Sequence, residues 1–323
     1  MAKAGKMGWL LVGGVICLFL LLAPFLLRGY WVRLLTNMFM FGILAESVNI
    51  IAGYCGYLAL GNMVFFGLGA YTGAVLMTKF SFSFIPALII AGLGASLFSG
   101  FVGLPILRLR GQYFLMATMG LLELLREITT NISLTGGGQG ITLPIFPGGA
   151  AAANHFFYYF MFGLMVASII STLYISKCRL GYAFRAIKFD EDAASVMGIN
   201  PTPYKTAAWA ISAFFTSLTG AGYAYWMSYI DPGEAYQIMP SIKMYLMMVL
   251  GGGGTVLGPI AGAFFIEFIS ELVWGKFLEL HFLILGLILV FVVIFTPKGF
   301  MDLFRRGVSI SKLMTGVKEN RVL

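Results

Sequence analysis

A chain of 323 residues that is 59% hydrophobic and only 11% charged, with a mean hydropathy of +0.91, lies outside the range of ordinary soluble domains. The net charge of +8 comes with aromatic residues that sit inside apolar runs. It therefore points to basic loops facing anionic lipid and the cytoplasm, and it excludes a nucleic-acid-binding face.

Apolar runs lie near 7–27, 34–52, 57–78, 84–107, 112–130, 156–176, 206–229, 255–274 and 281–296, with a further short piece at 241–250. Runs of about 16–22 residues, rising about 1.5 Å per residue, cross or nearly cross a hydrocarbon core of about 30 Å. Their apolar residues are continuous and not alternating, so helices are predicted and a β-barrel is excluded. The first run follows Lys3 and Lys6. Its length, with Pro24 and Arg28 where a cleavage site would fall, reads as an uncleaved anchor. Lys and Arg gather at 3–6, 108–110, 177–205 and 298–321 and are missing from 131–155 and 230–240. The positive-inside rule places the first set in the cytoplasm and the second outside, with Arg28, Arg33, Lys79 and Lys276 as exceptions. Both termini then lie inside, and the piece 241–250 must count as a crossing. The expectation is an all-α, polytopic transmembrane bundle of eight to ten spans. It forms one transmembrane domain over 1–323, with a cytoplasmic N-terminus (1–6), a cytoplasmic loop (177–205) and a cytoplasmic tail (297–323).

Ionisable and polar residues inside spans are costly and face the bundle interior. Gly42, Glu46, Asn49 and Gly53 share one face of the second span, where they either line a pathway or bond helix to helix. Glu123 and Arg126, three apart with Glu127 beside them, can pair within the fifth span. Glu267 and Glu271 stand one turn apart. Gly69–Gly73 and Gly258–Gly262 are small-xxx-small spacings that let helices approach closely. The run Gly251–Gly254 breaks an apolar stretch, either lining a cavity or forming a tight turn. Cys17, Cys55 and Cys178 form no CxxC pair, and His155 and His281 lie far apart, so neither a disulfide framework nor a metal site is expected.

The stretch RAIKFDEDAASVMGI at 185–199 carries five charges in fifteen residues. Asp190 can accept from the free N–H groups of a helix beginning at 191, and Glu191 and Asp192 suit its first turn. Gly198 offers a left-handed stop, and Pro201 and Pro203 forbid continuation. A helix over 191–197 is predicted, with Ala193, Ala194, Val196 and Met197 as its apolar surface. Alone it is marginal in water. It is either a solvated spacer or an element that a cytoplasmic partner grips.

Asp192-Ala193-Ala194, three residues and then Gly198 resembles the EAA---G loop of ABC importer permeases, with Asp for Glu and without the Ile-x-Leu-Pro tail. The wider stretch KCRLGYAFRAIKFDEDAASVMGINPTPYKTAAWAISAFFTSLTGAGYAYW resembles the permeases of branched-chain amino-acid ABC transporters. So do GYCGYLALGNMVFFGLGAYTGAVL, LTGGGQGI, MVLGGGGTVLGPIAGAFFIE and GLILVFVVIFTPKGFMDL. In that family GxSLGHAAF is usual where this chain has YLALGNMVF, with Leu58-Ala59 and Asn62. The resemblance implies inward transport of branched-chain or hydrophobic amino acids across a prokaryotic cytoplasmic (inner) membrane. It implies a second permease subunit, two cytoplasmic ABC ATPase subunits and an extracytoplasmic substrate-binding protein. The chain has no GxxxxGK[ST] loop, so it is expected to be a non-catalytic subunit binding no cofactor, in contact with membrane lipid and with no nucleic acid. Asp190, Glu191, Asp192, Ala193, Ala194, Met197 and Gly198 are the implied ATPase-coupling residues. Glu46, Asn49, Asn62, Glu123, Arg126, Gly251, Gly252 and Gly253 are the pathway candidates. Related permeases handle urea and short amides. The contrasting class is an ATPase-independent secondary transporter or channel, which needs no docking helix; a membrane-embedded enzyme would want a convergent His/Asp/Glu or Ser/His cluster.

Overall fold

The computed structural model describes residues 19–274 and Gly286. The basic N-terminus (1–6), most of the 7–27 run, all of the 281–296 run but Gly286, and the tail (297–323) lie outside the described residues. Residues 19–26 are helical. The chain then forms α1 (Gly29–Val48), which continues as a π-helix (Asn49–Tyr54), then a 3-10 turn (Leu60–Asn62) leading into α2 (Met63–Thr78), α3 (Phe84–Ile106) and α4 (Gln112–Asn131). There follow β1 (Ile141–Thr142), α5 (Gly149–Lys177), α6 (Arg179–Phe189), α7 (Glu191–Val196) and α8 (Pro201–Met227). Finally come β2 (Tyr229–Ile230), α9 (Pro232–Ala235), α10 (Ile238–Gly251) and α11 (Gly258–Trp274).

Four helical stretches, Gly29–Tyr54, Leu60–Thr78, Phe84–Ile106 and Gly149–Lys177, are long and apolar enough to cross a membrane. They coincide with four of the predicted runs. The runs at 112–130, 206–229, 241–250 and 255–274 also form helices: α4, α8, α10 and α11.

α8 is the central pillar. It packs against α2 and α3, while α1 packs against α5 and α11, and α10 pairs with α11. The α2–α8 crossing is close because Gly69 lies against Ser217 and Gly220 lies against the carbonyl of Phe66. A methyl at either place would overlap backbone, so the small-xxx-small reading of Gly69–Gly73 holds at this crossing. α3 shows the opposite surface. Ile85, Ile89, Leu93, Leu97 and Phe101, spaced four apart, are all exposed. Such an apolar stripe suits lipid. At one end of the bundle β1 and β2 pair antiparallel, with Ile141 opposite Ile230. At the other end α6 and α7 pack together, with α7 also touching α8. The segments predicted outside (131–155, 230–240) thus share one end, and those predicted inside (108–110, 177–205) share the other.

The boundary after α7 differs from the expectation. Asn200-Pro201 ends the α7 segment, and it also starts the next helix. The Asn200 side chain accepts from Thr202 N–H at 3.2 Å and Pro201 occupies the first helical position, where a missing N–H costs nothing. α8 therefore begins at 201, about a turn ahead of the apolar run at 206.

Candidate functional site

α7 forms as its capping residues dictate. Asp190 is extended, and its Oδ1 accepts from the backbone N–H groups of Asp192 (2.9 Å) and Ala193 (3.0 Å). Glu191 and Asp192 fill the first turn, favoured by the helix dipole. Gly198 adopts φ +86°, which glycine takes without strain. Ala194 is buried against the bundle. Phe189, Val196 and Met197 point away from it, 93%, 89% and 82% exposed.

Glu191 turns inward to a polar clasp that the sequence reading missed. The Lys205 ammonium, 2% exposed, sits 2.8 Å from Glu191 Oε1. It also donates to the Leu107 carbonyl (2.8 Å) and to the Tyr57 hydroxyl (3.0 Å). Tyr57 donates to the other Glu191 oxygen. Arg110 reaches Glu191 at 3.6 Å and forks onto Asp192 at 2.9 and 3.2 Å. Burial alone would raise the Glu191 carboxyl, but Lys205, Tyr57 and Arg110 outweigh it and hold Glu191 below its ordinary value of 4.5. Arg110 likewise lowers Asp192, and Asp192 raises Arg110. Burial and then Glu191 push the Tyr57 hydroxyl up, so it stays a neutral donor. The clasp fixes α7 to the end of α3, the turn before α4, the segment after the π-helix and the start of α8. A second tie comes from α6, where Lys188 donates to the Gly53 carbonyl at 2.7 Å.

That carbonyl belongs to the π-helix, which faces the glycine run. Asn49 holds both sides of the contact: its Nδ2 donates to the Thr255 carbonyl (2.8 Å) and its Oδ1 accepts from Gly254 N–H (2.7 Å). Gly252 and Gly254 take φ +111° and +83°. The run Gly251–Gly254 therefore ends α10 and reverses the chain into α11. Gly251 presses on Gly258, and Gly262 presses on Met247. Asn62 is fully buried and donates to Ser212 and Thr216, each at 3.2 Å, and Thr216 is 2.9 Å from Ser47. Glu46 is also fully buried, and neither carboxylate oxygen has a hydrogen-bond partner among the described residues. Thr172 and Asn49 are its polar neighbours.

Glu123 and Arg126 pair at 3.3 Å as their spacing predicts, and both are about half exposed on α4, next to exposed Glu127. α4 thus turns charge outward where α3 turns only apolar side chains.

The family model described as the permease component of the branched-chain amino acid transport system matches residues 30–293. The chain belongs to this family. The permease is similar to the high-affinity branched-chain amino acid transport system permease protein LivM of Escherichia coli, with 30% identity covering 87% of this chain and 72% of LivM. The LivM of Salmonella typhimurium matches at 29% with the same coverage. The LivH permease of the same organism matches at 22%, covering 81% of this chain and 91% of LivH. No solved structure matches the chain.

Within this permease the seven residues expected to couple lie together at one end, from Asp190 to Gly198. The eight pathway candidates scatter. Asn49 and Gly251–Gly253 meet at one turn, Asn62 sits in the α1–α2–α8 seam, Glu46 faces α5, and Glu123 and Arg126 are on the outer face of α4. Sequence reading also missed Lys243, which pairs with Glu267 at 2.6 Å and lies 4.4 Å over the Phe41 ring. Glu271, one turn on, accepts from Tyr30 instead. Lys243 lies in an apolar segment and Glu267 is 24 residues later, so nothing local announces the pair. Among the described residues no cluster of His, Cys, Asp or Glu is spaced to hold a metal ion.

Proposed function

We propose that this permease is the membrane-spanning subunit of an ATP-binding-cassette importer that moves hydrophobic amino acids inward. Separate cytoplasmic ATPases power it, and they seat on α7. The observation that carries the reading is the build of α7. It is a short capped helix locked to four other segments by the Glu191–Lys205 clasp, with Phe189, Val196 and Met197 turned outward. A spacer loop needs no such anchoring, and exposed apolar side chains beside charge suit a protein groove.

In this reading the α6–α7 end faces the cytoplasm and the β1–β2 end faces outward, where a substrate-binding protein delivers its ligand. Both termini are inside, with eight to ten membrane spans. Charges on α4 cannot face hydrocarbon without cost, so Glu123, Arg126 and Glu127 face a second permease subunit or the water-filled path between the two subunits. The substrate class follows from the branched-chain amino acid transport permeases it resembles.

The test is uptake of tritiated leucine by proteoliposomes that hold this chain, its partner permease and ATPases, with the binding protein added. Gly198→Val, which forces a β-branched residue into the left-handed region, is expected to abolish ATP-driven uptake while membrane insertion stays normal. Undiminished uptake by that variant contradicts the docking role of α7.

A further inference from the structure

Arg33 is one of the few basic residues on the wrong side of the positive-inside pattern, and the proposed transport cycle gives it no task. It lies on α1 at the β1–β2 end of the bundle. There it opens onto a cavity of ≈ 480 Å³ between α1, α5 and the end of α8. This volume is in the range of small-molecule sites. The polar side chains on its wall include Arg33, Asn37 one turn further along α1, and Asn154 on α5. Tyr223 and Trp226 supply aromatic surface.

The polar groups keep free bonding capacity. Arg33 uses its Nε to donate to Asn154 Oδ1 at 3.3 Å, which leaves the four N–H groups of its outer nitrogens available. No carboxylate of the described residues pairs with it, and no acidic residue lines the cavity. Asn37 makes no side-chain hydrogen bond among the described residues. A guanidinium with a free outer edge matches one planar carboxylate in two-pronged fashion. Amide oxygens of Asn37 and Asn154, and the face of Trp226, suit an ammonium group beside that carboxylate. The aromatic wall suits an apolar side chain.

We propose that this cavity is an outward-facing binding site for a free α-amino acid with an apolar side chain. The carboxylate lies on Arg33, the ammonium lies at Asn37 and Asn154, and the side chain lies against Tyr223 and Trp226. The inference rests on the hydrophobic amino-acid reading above and gives it a place on this chain. A lipid headgroup phosphate also fits a lone arginine, but it has no apolar side chain to lay against Tyr223 and Trp226.

The test is binding of tritiated leucine to the purified full-length chain in nanodiscs, without binding protein, with leucine uptake by the assembled transporter measured in parallel. Leucine is expected to bind and to be displaced by excess leucine but not by leucinamide, which lacks the carboxylate. Arg33→Gln is expected to weaken binding at least tenfold, with Arg33→Lys intermediate, while assembly with the ATPases is unchanged. If Arg33→Gln binds and transports leucine as the wild type does, the cavity assignment is overturned and the transport reading stands. If a phospholipid co-purifies with the wild type and is lost in Arg33→Gln while leucine binding persists, the assignment is likewise overturned in favour of a lipid site. If the wild type neither binds nor transports leucine, both readings fall.

Discussion

Lys205 is the residue on which the α7 end depends. A buried ammonium is costly unless each of its protons is met, and here Glu191, Tyr57 and the Leu107 carbonyl meet all three. Removing one partner of a buried pair leaves the other charge uncompensated, at about 3–5 kcal/mol. Glu191 keeps 15% of its side chain exposed and two acceptors remain for Lys205, so the low end applies. Glu191→Ala is expected to cost about 3 kcal/mol, read as a drop in the thermal midpoint of the detergent-solubilised protein. Glu191→Leu combined with Lys205→Met should regain most of the loss, and equal losses in the single and double variants would show that the pair is not coupled. The pH sign follows from the lowered Glu191 value. Its contribution is complete above the ordinary value of 4.5 and is lost only as pH falls through the lower folded value. Stability should therefore be flat across neutral pH for this group and fall only in acid. The clasp was invisible in the sequence because Lys205 reads as one more loop cation at the edge of an apolar run. Its partners are 14, 98 and 148 positions away.

The glycine run shows what an element requires that composition alone does not say. Four glycines predict that a continuous helix fails, and it does. The reason is specific, because each position carries a different demand. A Cβ on Gly251 would overlap the backbone of Gly258 and Pro259, and Gly252 sits at φ +111°. Gly253 would meet only Met248 at 3.6 Å and Gly53 at 3.7 Å, ordinary contact distances. Gly251→Ala and Gly252→Ala are therefore expected to lower the thermal midpoint and the leucine uptake together, each by an amount equivalent to about 1–3 kcal/mol. Gly253→Ala should leave both near wild type, and equal damage at all three positions would contradict this turn geometry. α7 was legible to within one residue, the helix stopping at Val196 with Met197 as its cap, because its start and stop are local chemistry: Asp190 before it and Gly198 after it. Asn49 was placed correctly on a face with Gly53, yet its bond to a turn some 205 residues away lies beyond any periodicity.

At the scale of the molecule, hydropathy and the distribution of Lys and Arg recovered the helical bundle and grouped its loops onto two ends. Long-range pairs, and the first and last segments, were beyond their reach or lie outside the described residues. The two ends now have different characters. One carries the clasped α7 with Phe189, Val196 and Met197 exposed, and the other carries the β1–β2 pair and the Arg33 cavity. The central claim is that the first end is cytoplasmic and receives the ATPases on α7. The most direct measurement replaces Cys17, Cys55 and Cys178 with Ser, introduces Val196→Cys, and follows labelling by a membrane-impermeant thiol reagent in oriented vesicles, with and without the ATPases. The expected result is rapid labelling from the cytoplasmic face of the permease alone and strong protection once the ATPases are bound. Labelling from the external face, or unchanged labelling in a transporter that hydrolyses ATP and moves leucine, would contradict it.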